Sequence, residues 1–324
     1  MQNIKIIQTA SYVPKKSITN KQLSEIMDTS DEWILTRTGI KKRHISLNEN
    51  TSELCTRVAK ELLKKSNWQA QSLDVIIVAT MSPDSFTPST AAIVQGNLQA
   101  QNAICFDISA ACSGFMYALE VAKNFLNAPN VKRIMVIGGE VLSKIIDWHD
   151  RTTAVLFGDG AGGVLLEATK ENKSAFLASD LKTFGAKAQV LTAGITQANH
   201  QFPNVLPTLS AFKMNGKEVY RFATHEVPNS IVTACQKANV SLKQVDWFIL
   251  HQSNARIIQT IAKKLQQPLN KFALNIENYG NTSAASIALL LDELVTNKQI
   301  KRGSLIVLSG FGGGLTLGTH VIKF

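Results

Sequence analysis

The sequence predicts an α/β protein made of two similar halves. Runs of Ile, Val and Leu that are typical of buried strands alternate with helical segments, and such strands are expected in sheets covered by helices on both faces. The same order of elements occurs twice along the chain. We therefore expect mostly parallel sheets around shared central helices, with residues 1–173 and 174–324 forming the two halves.

The first half has strand-like segments at residues 73–80, 104–108 and 133–138. A turn of small residues follows the second segment and leads into an apolar helix predicted at 113–126. Because this helix is apolar on most sides, we expect it to lie between layers and not on the surface.

The second half repeats this order of strands, turn and helix. Its strand-like segments are residues 245–250, 272–276 and 304–308, and its apolar helix is predicted at 282–295. This second helix is the expected partner of the first one in the interior, because it too is apolar on most sides.

Four residues indicate that the two halves keep their register to within a few residues. The separation in sequence between Cys112 and Asn281 equals that between Lys132 and Lys301. Cys112 and Asn281 therefore occupy equivalent positions, at the start of the two predicted central helices. The segment from about 174 to 216 has no clean period and is interpreted as a connection between the halves, with surface excursions.

The composition limits location and partners. With 324 residues and 45% hydrophobic content the chain can bury a large core. Its apolar runs are too short to span a membrane and its start has no secretory pattern, so we expect a cytoplasmic protein. The four cysteines predict neither a disulfide framework nor a metal site, since their spacing matches neither. A net charge of +10 favours an acidic partner, which leaves nucleic acid, a membrane surface and an acidic protein open.

Cys112 is the candidate nucleophile. It lies in Ala-Ala-Cys-Ser-Gly at 110–114, between a strand and a helix, where unpaired backbone N–H groups and the helix dipole favour a thiolate. A free cysteine can equally be a small buried hydrophobic residue. Cys55, Cys105 and Cys235 lack this context.

His251 and Asn281 are the candidate partners of Cys112. His251 directly follows a strand, at the end where open α/β sheets bind their ligands, and Asn281 lies in the turn equivalent to that of Cys112. A structural histidine and an ordinary helix cap are the alternatives. All three residues lie at strand ends, two of them at duplicated positions, which favours one shared catalytic site.

Two glycine clusters require separate interpretations. Residues 158–163 fit G-x-G-x-x-G but precede a strand-like segment instead of a helix, so a dinucleotide site is not expected. Residues 310–314, Gly-Phe-Gly-Gly-Gly, lack the Lys-Ser/Thr ending of a phosphate loop. They favour close backbone approach or an exposed N–H donor.

Several segments together resemble β-ketoacyl-acyl-carrier-protein synthase III, the family that primes bacterial type II fatty acid synthesis. They are Ala-Ala-Cys-Ser-Gly-Phe at 110–115, His-Gln-Ser-Asn-Ala-Arg at 251–256, Asn-Tyr-Gly-Asn-Thr-Ser at 278–283 and Phe-Gly-Gly-Gly at 311–314. The likeness extends over essentially the whole chain, including residues 31–40 and 150–160. It implies a thiolase-type five-layer αβαβα fold and a homodimer.

The resemblance also implies the reaction. An acetyl or other short acyl primer passes from coenzyme A to Cys112 and then condenses with malonyl-acyl carrier protein, with loss of carbon dioxide. His251 and Asn281 would donate hydrogen bonds to the enolate, and the N–H groups of Cys112 and Gly313 to the oxyanion. Phe311 would crowd the malonyl carboxylate. The coenzyme A thioester is a substrate, so no cofactor is expected.

Roles at the surface are implied in the same way. Trp33, Arg37 and Arg151 match positions that hold the adenine and phosphates of coenzyme A, and Asn254 matches a position that contacts pantetheine. Positions near the tunnel mouth, where an acidic carrier protein docks, are matched by Arg221, Arg256, Lys263 and Lys264. A core tryptophan and a solvated basic surface are the alternatives.

Two alternative functions stay open, one with a different acceptor for the acyl group and one in a different class of protein. A synthase III relative that transfers the acyl group to an oxygen or nitrogen nucleophile would use the same cysteine and histidine. A non-catalytic nucleic-acid-binding protein is suggested by the net charge alone, without a recognition motif. Tyr220 and Lys217 depart from the family pattern, residues 181–209 follow it poorly, and Phe86 lies in a loop expected at the acyl pocket of the partner subunit. Primer length and branching therefore stay open.

Overall fold

The structure is a computed structural model that describes residues 3–169, 174–196 and 209–324. The strands are β1 (Asn3–Tyr12), β2 (Ser17–Thr19), β3 (Lys42–His44), β4 (Val75–Ala79), β5 (Ile104–Ile108), β6 (Arg133–Glu140), β7 (Gly160–Thr169), β8 (Phe176–Thr183), β9 (Leu191–Thr192), β10 (Lys213–Met214), β11 (Trp247–Leu250), β12 (Leu305–Gly312) and β13 (Thr316–Lys323). The α-helices are α1 (Asn20–Leu23), α2 (Asp31–Thr38), α3 (Thr51–Ser66), α4 (Thr90–Leu98), α5 (Gly114–Phe125), α6 (Arg151–Ala154), α7 (Gly216–Lys237), α8 (Ala255–Lys264), α9 (Ile276–Tyr279) and α10 (Ala285–Thr296).

Most strands belong to two large sheets. One is a five-stranded sheet in the order β1-β7-β6-β4-β5, and the other is a four-stranded sheet in the order β11-β12-β13-β8. The strands of the first sheet all precede residue 170, and those of the second all follow residue 173. Each sheet is thus built from one half of the chain.

Both sheets are mixed, so the prediction of mostly parallel sheets is wrong. The pairs β4-β5, β4-β6 and β11-β12 are parallel, whereas β1-β7, β6-β7, β12-β13 and β8-β13 are antiparallel. The apolar runs in the sequence indicated burial on both faces, which is correct. Burial does not fix strand direction, because β7 and β13 are as deeply buried as the parallel strands.

Alternating side chains of each sheet pack against different helices, which produces five layers. In β4, Val75, Ile77 and Ala79 face the central helices α5 and α10, whereas Ile76 and Val78 face the outer helices α3 and α4. The second sheet packs its other face against α7 and α8. The order of layers is therefore α3/α4, first sheet, α5/α10, second sheet, α7/α8.

The central helices are buried as expected, but both start later than predicted. α5 begins at Gly114 and α10 at Ala285, and each is preceded by a turn. Cys112 consequently lies in a single 3₁₀ turn, Ala111–Ser113, and not in the α-helix itself. The turn places it just beyond β5, at the carboxyl edge of the parallel strands.

The strand predicted at residues 272–276 does not form. A single β-bridge joins Phe272 to Phe248, and α9 begins at Ile276. The N–H groups of Asn275 and Ile276 donate to the side chain of Gln252 at 3.1 and 3.3 Å instead of to a neighbouring strand. A side chain has therefore taken the place of a strand partner.

The interpretation of residues 174–216 as an irregular connection is also partly wrong. β8 forms the edge of the second sheet, next to β13. Polar residues, namely Ser179, Asp180, Lys182 and Thr183, interrupt its apolar ones, as an edge strand allows, so it has no continuous apolar run. The predicted connection also includes residues 197–208, which lie outside the described residues.

Three general properties bear on location and metal binding. All four cysteines are free thiols. None of the helices described is both long and apolar enough to cross a bilayer. Across residues 3–169, 174–196 and 209–324, His, Cys, Asp and Glu side chains do not gather in groups of three that would hold a metal ion.

The contact between β6 and the turn before α10 can be tested at Gly138. A methyl group on Gly138 would lie 2.3 Å from the carbonyl oxygen of Ala284, so the backbone would have to shift. We expect Gly138→Ala to lower the free energy of unfolding by roughly 1–3 kcal/mol. Gly96 in α4 is the matched control, because nothing lies within 4 Å of its added methyl group. Gly96→Ala should stabilise the protein by about 0.5–1 kcal/mol, and equal urea denaturation midpoints for the two variants would contradict the contact.

Candidate active site

A cavity of about 140 Å³ opens where the ends of strands from the two sheets meet. Cys112, His251, Asn281 and Phe311 all line it, so the structure brings the predicted nucleophile and its predicted partners together. Gly312 lines the cavity directly, and Gly313 follows it in the chain. Much of the remaining wall is apolar, formed by side chains that include Leu156, Phe157, Leu191, Phe212, Met214 and Leu315.

Cys112 lies on a strained elbow between β5 and α5. Ala111 has a φ of 46°, in the left-handed region that a residue with a side chain seldom adopts. The backbone of β12 touches this elbow, since a Cβ on Gly312 would lie 2.5 Å from the amide nitrogen of Cys112. Close backbone approach was one of the two interpretations of the second glycine cluster, and Gly312 confirms it.

The charge state of Cys112 differs from the expected thiolate. Its thiol has a pKa raised to about 12, mainly by burial; the nearby Ser283 hydroxyl opposes the shift and the carboxylate of Glu140 adds to it. In the resting site the loss of hydration therefore outweighs any effect of the helix amino end, and the sulfur is protonated.

His251 is held by contacts from three directions. Its backbone N–H donates to Ser309 at 2.9 Å, its Nδ1 lies 2.7 Å from the hydroxyl of Ser286, and its ring packs edge-on against Phe311 at 5.3 Å. Burial lowers the pKa of the imidazole to about 3, so the ring is neutral near pH 7. Sequence reasoning missed Ser286, although it belongs to the motif that contains Asn281 and lies one residue into α10.

Asn281 is fixed by backbone pairing with the first half of the chain. Its N–H donates to Leu156 at 2.9 Å, and its carbonyl accepts from Gly158 at 3.1 Å. Its side-chain Oδ1 accepts from the N–H of Ser283 at 2.9 Å, which leaves Nδ2 without an acceptor among the described residues. Asn281 is not the cap of α10, because that helix begins four residues later.

Trp33 and two arginines form a separate cluster at the surface. The guanidinium carbons of Arg37 and Arg151 lie 4.6 and 5.6 Å from the centre of the Trp33 ring. Trp33 is half-buried, and both arginines are exposed. Asn254 lines the cavity and donates from Nδ2 to the carbonyl of Arg37 at 2.9 Å. This bond ties α2 to the start of α8 and brings the cluster next to the cavity.

The four basic residues predicted to dock a partner are all exposed. Tyr220 lines the cavity and contacts Thr260 at 3.0 Å, which joins α7 to α8. Arg221, which pairs with Glu218 at 3.0 Å, and Arg256 lie beside this link. The other two, Lys263 and Lys264, lie about two helical turns further along α8.

Comparison with known proteins identifies the family. The sequence model described as 3-oxoacyl-[acyl-carrier-protein (ACP)] synthase III matches residues 106–185, and that of its C-terminal region matches residues 235–324. A curated relative from Limosilactobacillus reuteri named beta-ketoacyl-[acyl-carrier-protein] synthase III is 57% identical over 324 residues, 100% of both chains.

Solved structures agree with this result. The 3-oxoacyl-[acyl-carrier-protein] synthase III of Aquifex aeolicus superimposes with a TM-score of 0.92 at 42% identity, covering 99% of this chain and 100% of that one. The corresponding structure from Pseudomonas aeruginosa has a TM-score of 0.92 at 32% identity and covers 100% of this chain and 98% of its own.

The layered fold and these relatives define an acyltransferase of the condensing type, built on the thiolase fold. Both the predicted fold class and the predicted enzyme class are thereby confirmed. The chain belongs to the 3-oxoacyl-[acyl-carrier-protein] synthase III family, also called β-ketoacyl-[acyl-carrier-protein] synthase III.

The buried imidazole of His251 should make stability depend on pH. Its pKa is about 3 in the folded chain and about 6.5 when solvated, so the unfolded chain binds more protons in acid. Folding stability should therefore fall as the pH drops below about 6.5, and this one group accounts for about 2 kcal/mol between pH 8 and pH 5. Urea denaturation at pH 8 and pH 5 gives the free energy of unfolding that is lost between the two pH values. We expect this loss to be smaller in His251→Gln than in the wild type, by the same amount. Equal losses in the variant and the wild type would contradict the buried neutral imidazole.

Proposed function

We propose that this protein primes fatty acid synthesis. It transfers a short acyl group, such as acetyl, from acyl-coenzyme A to Cys112 and condenses it with malonyl-acyl carrier protein. The products are carbon dioxide and a β-ketoacyl-acyl carrier protein. The observation that carries the proposal is a single cavity lined by a cysteine, a histidine and an asparagine, in a chain 57% identical to a named synthase III along its whole length.

In the first half-reaction the sulfur of Cys112 attacks the thioester carbonyl of acyl-coenzyme A. The thiol proton balances the departing coenzyme A thiolate, so this exchange needs no net proton. The N–H groups of Cys112 and Gly313 are the proposed donors to the oxyanion. Thr316 supports them, because its hydroxyl donates to the carbonyl of Gly313 at 2.8 Å and accepts from Ser113 at 2.7 Å. The Gly313 loop is thereby tied to the turn that holds the nucleophile.

In the second half-reaction the malonyl group loses carbon dioxide and negative charge develops on its thioester oxygen. Nε2–H of His251 and Nδ2 of Asn281 are the proposed donors to that oxygen. Ser286 occupies Nδ1 of the imidazole and the N–H of Ser283 occupies Oδ1 of the carboxamide, so the donor atoms face the cavity. A hydroxyl that donates to Nδ1 leaves the imidazole proton on Nε2.

The enolate carbon then attacks the carbonyl carbon of the acyl group on Cys112. The sulfur of Cys112 leaves as a thiolate, which takes up one proton from solvent. The lowered pKa of His251 keeps the ring neutral, so it acts as a hydrogen-bond donor and not as an acid. Asn281 does not titrate. The ring of Phe311 packs against the imidazole and leaves little room for water beside the malonyl carboxylate.

The surface groups fit the two thioester substrates. We assign Trp33, Arg37 and Arg151 to the adenine and phosphates of coenzyme A, since stacking and positive charge suit both parts. Asn254 lies between this cluster and the cavity, along the course of the pantetheine arm. Arg221 and Arg256 would contact the acidic carrier protein, while Lys263 and Lys264 would add attraction at longer range.

A homodimer is part of the proposal. β5 is the edge strand of the first sheet, paired with β4 on one side. Ile104 on this edge is 57% exposed and Phe86 on the neighbouring loop is 81% exposed, which is unusual for large apolar side chains in a monomer. The free thiols suit a reducing compartment, so we propose a cytoplasmic enzyme that uses thioester substrates and no separate cofactor.

Acyl transfer to Cys112 can be tested by mass spectrometry. Incubation with acetyl-coenzyme A should add one acetyl group, confined to the peptide that contains Cys112. The half-exposed Cys105 is an internal control and should stay unmodified. Cys112→Ala should abolish both acylation and formation of β-ketoacyl-acyl carrier protein. Persistent turnover by this variant, or a product formed on an oxygen or nitrogen acceptor instead, would refute the proposed function.

Docking of the carrier protein can be tested by reversing one charge. Arg256→Glu should raise the KM for malonyl-acyl carrier protein by roughly tenfold at low salt, because like charges would then face each other. Its acylation by acetyl-coenzyme A should be unchanged. Lys298→Glu, at an exposed position after α10, is the matched charge reversal and should leave the KM as in the wild type. Equal KM values for the two variants would remove Arg256 from the docking surface.

A further inference from the structure

The side chain of Gln252 makes four buried hydrogen bonds next to the proposed catalytic histidine. Nε2 donates to the carbonyls of Leu250 at 2.9 Å and Ala273 at 3.3 Å. Oε1 accepts from the N–H groups of Asn275 at 3.1 Å and Ile276 at 3.3 Å. The residue is 1% exposed, so every donor and acceptor site of its amide is used inside the protein.

These bonds join the two segments that supply the proposed enolate donors. One segment leaves β11 and carries His251. The other runs from Ala273 through α9 to Asn281, which is bridged to Phe157, and before that bridge it belongs to none of the strands described. The Gln252 amide therefore takes the place of strand pairing at residues 273–276, and the pairing of Asn281 with Leu156 and Gly158 fixes the far end of the same segment.

A second set of contacts anchors the same segments to the central helix α10. Nδ2 of the buried Asn275 donates to Glu293 at 2.8 Å, and the imidazole of His251 contacts Ser286 at 2.7 Å. Both Ser286 and Glu293 belong to α10. The path from His251 through Gln252, Asn275, Glu293 and α10 back to Ser286 is therefore a closed ring of contacts, which resists both rotation and translation of the imidazole.

We infer that Gln252 is a positioning residue for the condensation step. It holds Nε2 of His251 and Nδ2 of Asn281 at the spacing needed to bind one enolate oxygen together. Cys112 does not depend on this ring, because its elbow is held by β5, α5 and the close approach of Gly312. Loss of the Gln252 amide should therefore impair condensation while acylation continues. This inference rests on the proposed function of the site.

The test compares the two half-reactions in Gln252→Met, which keeps the length of the side chain and removes its hydrogen bonds. Acylation of Cys112 by acetyl-coenzyme A is followed by rapid-quench mass spectrometry, and condensation by product formation from malonyl-acyl carrier protein. We expect the condensation kcat to fall by roughly tenfold to a hundredfold, as a displacement of about 1 Å would cause. The acylation rate and the KM for malonyl-acyl carrier protein should stay within about threefold of wild type.

Gln267→Met is the matched control. Its amide bonds to the carbonyls of its neighbours Leu265 and Gln266, at the end of α8, and both half-reactions should be unchanged. Asn275→Ala is the second test variant, and it tests the same ring of contacts if Gln252→Met does not fold. It removes the link to Glu293 alone and should produce the same selective loss, with a smaller magnitude.

The outcomes separate this inference from the proposed function. If the acylation and condensation rates of Gln252→Met fall equally, Gln252 supports the fold in general. If neither rate falls, His251 and Asn281 do not need Gln252 to hold their positions. Either result overturns the inference. If the wild-type protein itself fails to acylate Cys112, the proposed function fails before the variants are compared.

Discussion

The site depends on the enclosure of two apolar helices, α5 and α10, between two sheets. The strands and helices approach so closely that a methyl group on Gly138 or Gly312 would collide with the backbone of the turn opposite. Cys112 and Asn281 lie in the turns that lead into these helices, one from each half of the chain. Packing of the core therefore brings the two turns together, and His251 joins them from the end of β11.

Burial also determines the electrostatic state of the resting site. It raises the pKa of the Cys112 thiol to about 12 and lowers that of the His251 imidazole to about 3, so both groups are uncharged near pH 7. An ion pair between sulfur and imidazole is therefore not the ground state. In the proposed mechanism, charge develops on the reacting thioester, and fixed dipoles of N–H groups would stabilise it without reorganisation.

Much of the fold and the convergence of Cys112, His251 and Asn281 on one candidate site were predictable from sequence, and the failures have physical causes. Small residues after a strand and before an apolar helix indicated Cys112 and Asn281, because that pattern reflects local backbone geometry. Strand direction was not predictable, since an apolar run reports burial alone. The absent strand at 272–276 and the contacts of Gln252 and Ser286 depend on side-chain bonds between distant segments, which leave no periodic signal. The raised pKa of Cys112 likewise reflects the three-dimensional surroundings of the sulfur.

The internal bonds at His251 and Asn281 have a consequence for small-molecule recognition. In the imidazole tautomer proposed above, the hydroxyl of Ser286 and the N–H of Ser283 occupy the acceptor atoms of the two side chains, so His251 and Asn281 present donors to the cavity. A synthetic inhibitor that enters the cavity gains from a carbonyl or sulfonyl oxygen directed inward. A compound that turns an amine or amide hydrogen toward His251 and Asn281 finds no acceptor on these two side chains and loses its own hydration without compensation.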